Sequence, residues 1–199
     1  MPPPMFKAID LGTSLFGPVS FEVGAGECLV LRGPSGAGKS QLLRALADLD
    51  PSEGEVWLEG RERGTVPVTE WRCRVGLLPA EPAWWFETVG EHFQDRGRVD
   101  VASLGFSERV FDWEVTRLSS GERQRLGLLR LLAMQPQVLL LDEPTANLDD
   151  ANTDRVEDLV RGYLARHPAC AVWVSHDPEQ ADRIATRVLE LAARVEDAA

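Results

Sequence analysis

Residues 33–40 read GPSGAGKS and meet the pattern G-x-x-x-x-G-K-[ST] at every fixed position. An apolar run, CLVLRG at 28–33, precedes the stretch, and helical spacing from 39 to 49 follows it. No other feature constrains the fold as much, because a glycine loop between strand and helix gathers backbone N–H groups toward one point. Gly33, Gly36 and Gly38 let the chain curl, and the start of the next helix adds its positive dipole end. Such a cradle suits phosphate. Pro34, Ser35 and Ala37 complete the loop, and Gln41 follows it. Lys39 is placed to reach β- and γ-phosphates, and the Ser40 hydroxyl is a ligand for Mg2+.

A second constraint lies at 138–143, where VLLLDE is a continuous apolar run ending in two acids. Such runs mark central strands of a parallel sheet, buried on both faces. Ligands of doubly wound sheets sit at the C-terminal edge of the strands, where Asp142 and Glu143 fall. Asp142 is the second expected Mg2+ partner, directly or through water. Glu143 is placed to orient or deprotonate an attacking water.

The rest of the chain supplies the frame. PVSFEV (18–23), GEVWLEG (54–60), RVGLLP (74–79) and ACAVWVS (169–175) read as strands, and residues 24–27 as a turn. Helices are expected over 119–135, over 147–167 up to the stop at Pro168, and over 178–188; LELAARVEDAA reads as a strand end and tail. The N-terminal half is β-rich with one helix inside it, whereas 82–117 has no strong strand signal and reads as short helices and loops. Strands alternating with helices predict an α/β fold, largely parallel in the second half.

LSSGERQR at 118–125 resembles the signature of ABC-type ATPases, L-S-G-G-E/Q-x-Q-R, with Ser120 in place of the first glycine. PTANLD at 144–149 looks like the D-loop of that family, with Asp149 as its acid, and His176 after AVWVS looks like its switch histidine. Over nearly its whole length the chain is similar to the nucleotide-binding domains of ABC transporters. The resemblance implies a P-loop NTPase fold, in which a RecA-like core with an antiparallel β subdomain (1–81 and 118–199) carries a short helical insert (82–117). It also implies ATP and Mg2+, hydrolysis of ATP, and catalytic roles for Glu143 and His176. Two such domains would face head to tail, as a homodimer or an ATPase heterodimer. Ser119, Ser120, Gly121, Glu122 and Asp149 would then contribute to a nucleotide site shared with the partner. A separate membrane permease would be gripped through the insert. Phrases such as PQVLLLDEPTANLDDAN look closest to bacterial iron-export ATP-binding proteins.

Two positions depart from the family. Its adenine-stacking aromatic would fall near Asp10–Leu11; Phe16 fits a core position better, and Phe6 lies too early. Its Q-loop glutamine would fall at Ala80, with Glu81 the neighbouring carboxylate able to replace it if the loop shifts register. Trp84, Trp85 and Phe86 follow directly, and three aromatics in a row fit one face of neither a strand nor a helix. At least one is expected at the surface, where the permease would dock.

A formal net charge of −11 argues against a nucleic-acid partner, and neither a coiled-coil insertion nor a zinc site of DNA-repair members is present. No run of 18 apolar residues exists and the N-terminus lacks the pattern of a signal peptide, so the expected place is the cytoplasm, at the inner face of the membrane through the permease. Three scattered cysteines are expected as reduced thiols, and His92 and His167 as solvated side chains.

Overall fold

The computed structural model describes residues 4–192. In chain order its elements are β1 (Phe6–Gly12), β2 (Val19–Val23), β3 (Cys28–Arg32), α1 (Lys39–Leu46), β4 (Glu53–Leu58), β5 (Arg61–Glu62), α2 (Val68–Arg74) and β6 (Val75–Leu78). After five short 3-10 turns between 89 and 117 come α3 (Ser120–Ala133), β7 (Val138–Asp142), α4 (Asp150–Arg166), β8 (Cys170–Val174), α5 (Pro178–Ile184) and β9 (Arg187–Glu190). Five strands form a parallel sheet in the order β6-β7-β8-β3-β9, and β2-β1-β4-β5 form an antiparallel sheet.

Every residue of β7 and β8 is buried. Side chains alternate between two cores, as the period of two in a strand requires. Leu29, Leu31, Leu140 and Val172 meet Leu42 and Leu46 of α1, together with Phe6 and Trp71. Val30, Leu139, Leu141 and Trp173 meet Leu126 and Leu129 of α3 and Val156 and Val160 of α4. The expected α/β, P-loop type of fold is therefore present, with both sheets in place.

Several local expectations change. The first strand was hidden in FKAIDLG because its register shifts between Ala8 and Leu11, where Asp10 has φ 48°. That bulge breaks the alternation a strand normally shows. The N-terminal half holds a second helix, α2, too short to display helical periodicity. The last helix ends at Ile184 rather than 188, because Thr186 is drawn to the edge of β3. There the Cys28 N–H donates to Thr186 Oγ1 at 2.9 Å and the Thr186 N–H to the Cys28 carbonyl at 2.8 Å. Most of the expected C-terminal tail lies outside the described residues.

Residues 82–117 contain 3-10 turns and loops but no α-helix. Their apolar residues Val89, Leu104, Val110 and Phe111 join the α3–α4 core. Cys28, Cys73 and Cys170 are free thiols, the first and last buried; burial pushes the Cys28 thiol up to about 12. His167 is half-buried and stacks on Tyr163. His92, by contrast with its expected solvation, is buried.

Candidate nucleotide site

The loop between β3 and α1 turns into the helix through Gly38, whose φ of 91° lies in the left-handed region. A Cβ there would stand 3.0 Å from Cβ of Phe16, which is buried under the loop as a core residue. With glycine at the N-cap, no side chain caps the first N–H groups of α1, the condition under which a helix start suits an anion. Pro34, Ser35 and Gly36 are exposed and Ala37 is buried beneath them. Lys39 is buried, and its Nζ donates to the Gly33 and Pro34 carbonyls at 2.9 Å each, which holds the ammonium inside the curl.

Asp142 ends β7 beside Val174 of β8 and is buried. Burial pushes its carboxyl up; a hydrogen bond from Ser40 opposes this, Glu143 adds to it, and Lys39 and His176 oppose it. Those five residues therefore share one sheet edge. A hydroxyl and a carboxylate are the hard oxygen donors that Mg2+ takes alongside phosphate oxygens, so the residues present fit that ion. Glu143 adopts φ 47°, costly for a residue with a side chain and typical of a functional turn. His176 Nε2 lies 3.0 Å from Glu143 Oε1.

Residues 119–122 form the start of α3. Ser119 caps α3, accepting from the Glu122 N–H at 3.2 Å, while Glu122 Oε2 accepts from the Ser119 N–H and hydroxyl at 2.9 and 2.8 Å. Gly121 packs on Asn147 and Leu148 of the D-loop, and Asp149 caps α4 by accepting from the Asn152 N–H at 2.8 Å. Ser120 is exposed. The 118–125 and 144–149 segments thus meet each other at two helix starts, and Leu148 lines the same cavity as Glu143 and His176.

Sequence reasoning missed two features. Glu157 is buried, pairs with Arg183 at 2.8 Å and accepts from Gln180, which also donates to Thr145 Oγ1 at 2.9 Å. This network ties the D-loop to α5 beside a cavity of about 670 Å3 that Glu143 and His176 also line. An acid three residues before Val160 on the apolar stripe of α4 was the available signal. Leu15 is the second: it is exposed, and it lines a cavity with Gln41 where no aromatic stands.

A profile of the ABC transporter family matches residues 16–146. The chain belongs to the ABC transporter family. The aliphatic sulfonates import ATP-binding protein SsuB 3 of Rhodococcus jostii (strain RHA1) is 39% identical over 177 residues, 87% of this chain. This chain spans 64% of the length of that relative. The probable iron export ATP-binding protein FetA of Escherichia coli (strain K12) is 33% identical over 184 residues, covering 84% of this chain and 82% of the relative. Among solved structures, a bacterial Atm1-family ABC exporter with ATP bound superposes with a TM-score of 0.83 at 25% identity, covering 97% of this chain and 38% of that one. An ATP-binding cassette in a dimeric post-hydrolysis state, with ADP and Pi bound, reaches 0.80 at 22% identity, covering 96% and 97%, and shares the fold.

In this ABC transporter domain the Q-loop position, Ala80, is exposed, as is Glu81. The charged groups that act on Asp142 are Glu143, Lys39 and His176, and Glu81 is not among them. The aromatics divide as their spacing required. Trp84 packs against the core, whereas Trp85 and Phe86 are 65% and 48% exposed. All three rings lie edge-on to His92 at 4.8–5.0 Å. The Trp85 and Phe86 N–H groups both donate to His92 Nε2 at 3.0 Å, and Nδ1 lies 3.0 Å from the Thr88 carbonyl. Only a neutral ring with its proton on Nδ1 satisfies all three contacts.

Burial chiefly lowers the His92 pKa below its ordinary 6.5; Arg130 lowers it too, while the Thr88 and Val89 backbone and Glu91 act against this. Since the unfolded chain takes up the proton first, stability is fully present above pH 6.5 and falls as pH drops from 6.5 through the lower folded value. Denaturant midpoints measured between pH 8 and 5 should show this loss, and His92→Gln should remove the histidine component. A profile unchanged by the substitution refutes the role assigned to the ring.

Proposed function

We propose that this chain binds and hydrolyses ATP as the ATP-binding subunit of an ABC transporter, powering a separate membrane permease. The observation that carries this reading is the gathering of Lys39, Ser40, Asp142, Glu143 and His176 at one edge of the parallel sheet. The Gly33–Ser40 loop and Gln41 hold the phosphates, with Lys39 exchanging its carbonyl partners for phosphate oxygens. Ser40 and Asp142 hold Mg2+, which neutralises phosphate charge when bound. Glu143 takes the proton of the attacking water or orients it, and His176, 3.0 Å away, fixes that carboxylate and reaches the γ-phosphate. Leu15 offers adenine an apolar contact in place of an aromatic ring.

Ser119, Ser120, Gly121 and Glu122, with Asp149, serve the nucleotide of a head-to-tail partner, either a second copy or another ATPase chain. We infer that 82–117 forms the insert on a core of 1–81 and 118–199, and that Trp85 and Phe86 meet the permease. A cleft of about 510 Å3 lined by Leu78, Trp85, Phe93, Leu131 and Met134 opens beside them. This docking places the chain at the cytoplasmic face of the membrane. Sulfonate import is the cargo reading that the Rhodococcus relative favours, and metal export the one that the Escherichia relative favours; the permease selects between them.

Phosphate release from ATP by the purified chain should require Mg2+ and rise when the permease is present. No release under either condition overturns the proposal. Joint replacement of Trp85 and Phe86 by Ala should spare nucleotide binding and reduce co-purification of the permease; unchanged association would place the docking surface elsewhere.

A further inference from the structure

Glu143 and His176 sit on two separate turns. The first follows β7, where the Glu143 carbonyl accepts from the Ala146 N–H at 3.2 Å. The second follows β8, where Asp177 caps α5 by accepting from the Glu179 N–H at 2.9 Å. The Glu143 and His176 side chains are 34% and 45% exposed, so surrounding packing alone does not fix their 3.0 Å approach.

Two residues past Glu143 and four past His176, the same turns are joined a second time. The buried Gln180 donates from Nε2 to Thr145 Oγ1 at 2.9 Å, and the Thr145 hydroxyl donates to Gln180 Oε1 at 3.2 Å. Gln180 Nε2 also donates to Glu157 Oε1 of α4 at 3.0 Å. Both amide hydrogens and the amide oxygen therefore have partners, which gives the side chain one orientation. The buried Glu157 is gripped in turn by Arg183, whose Nη2 and Nε donate to its two oxygens at 2.8 and 3.1 Å. Such a two-pronged charged bond is strong and directional. A brace between α4 and α5 would need only Glu157 and Arg183. The branch through Gln180 leaves that brace and reaches the turn that carries Glu143.

We propose that Gln180 and Thr145 are positioning residues for ATP hydrolysis. Their hydrogen-bonded pair, anchored on Glu157 and Arg183, holds the turn of Glu143 against the turn of His176. The inference rests on the ATPase reading above and deepens it. Neither residue is a phosphate or metal ligand in that reading, so loss of the pair lowers turnover and leaves ATP binding in place.

Steady-state phosphate release with Mg2+ and ATP tests it. Thr145→Val keeps the shape of the side chain and loses both hydrogen bonds. It should lower kcat roughly 10–100-fold, the cost of misplacing a reacting group by about 1 Å, with KM for ATP within about twofold. Thr145→Ser keeps the hydroxyl and should restore most of the rate. Gln180→Leu should repeat the valine result, and the double variant should be no slower than either single one, since each removes the same pair of bonds. In a Glu143→Gln background, Thr145→Val should cost nothing further, because the group it positions no longer accepts the proton. The Thr145 variants decide alone if Gln180→Leu does not fold. Full turnover in Thr145→Val, a serine variant as slow as the valine one, or an equal loss in both Glu143 backgrounds overturns the positioning role and leaves ATP hydrolysis standing. A parent chain that releases no phosphate, with or without the permease, overturns both.

Discussion

Glu143→Gln is expected to lower the rate of phosphate release by about 10²–10⁴-fold, the usual contribution of a positioned general base. Glutamine keeps the size and polarity of the side chain but cannot accept the proton of water. Its backbone position, at φ 47° immediately after Asp142, is unchanged. The groups proposed to hold the phosphates, from Gly33 to Gln41, and the proposed Mg2+ pair Ser40 and Asp142 are untouched, so affinity for ATP should persist. With binding intact and turnover stopped, the two-chain complex should accumulate with ATP enclosed. Phosphate release and size-exclusion chromatography at saturating ATP check the two halves separately. A rate near that of the unmodified chain removes Glu143 from the chemistry. A species that remains monomeric argues against a nucleotide shared between two chains.

Trp71→Ala is expected to remove about 3–5 kcal/mol of stability, the range for deleting a large aromatic from a core. Domains of this kind hold about 5–15 kcal/mol in total, so the variant should lose a large part of its margin. Trp71 is fully buried, and its Nε1–H donates to the Leu46 carbonyl at 3.0 Å. Leu46 ends α1, where carbonyls lack helical partners. Truncation therefore leaves a cavity against Phe6 and also an orphaned acceptor at the end of the helix that begins with Lys39. A fall in melting temperature of about 6–20 °C follows from the usual 2–4 °C per kcal/mol for a chain of this size. Trp71→Phe restores most of the volume but not the hydrogen bond, and should fall between. A shift below about 2 °C for the alanine variant means that the site repacks and that Trp71 does not hold α1.

Trp71 also shows where the sequence was silent. A helix of seven residues presents two turns at most, too little for periodicity, and only its burial against α1 makes it legible. β1 was silent for a different reason: the bulge at Asp10 moves the inward residue from an even to an odd position. In α5 and β9 a local helical pattern lost to a tertiary requirement, since the open edge of β3 needed a strand. His92 has neighbours in the chain that give no hint of burial; the three-aromatic run that looked anomalous wraps round it.

The phosphate-loop pattern and the acid pair were legible because each is a short contiguous pattern whose chemistry depends on backbone curl or on a strand end. The sequence alone therefore determined the fold, the family and the set of groups at the sheet edge. The tertiary structure alone decided how the exposed aromatics connect to the rest. The contacts of Gln124 with Pro79, Gly127 with Pro82 and Arg130 with Ala83 join residues 45 or more positions apart. Nothing local in either segment encodes them. They exist because β6 and α3 pack side by side in the folded core, with Gly76 of β6 against Leu131 of α3.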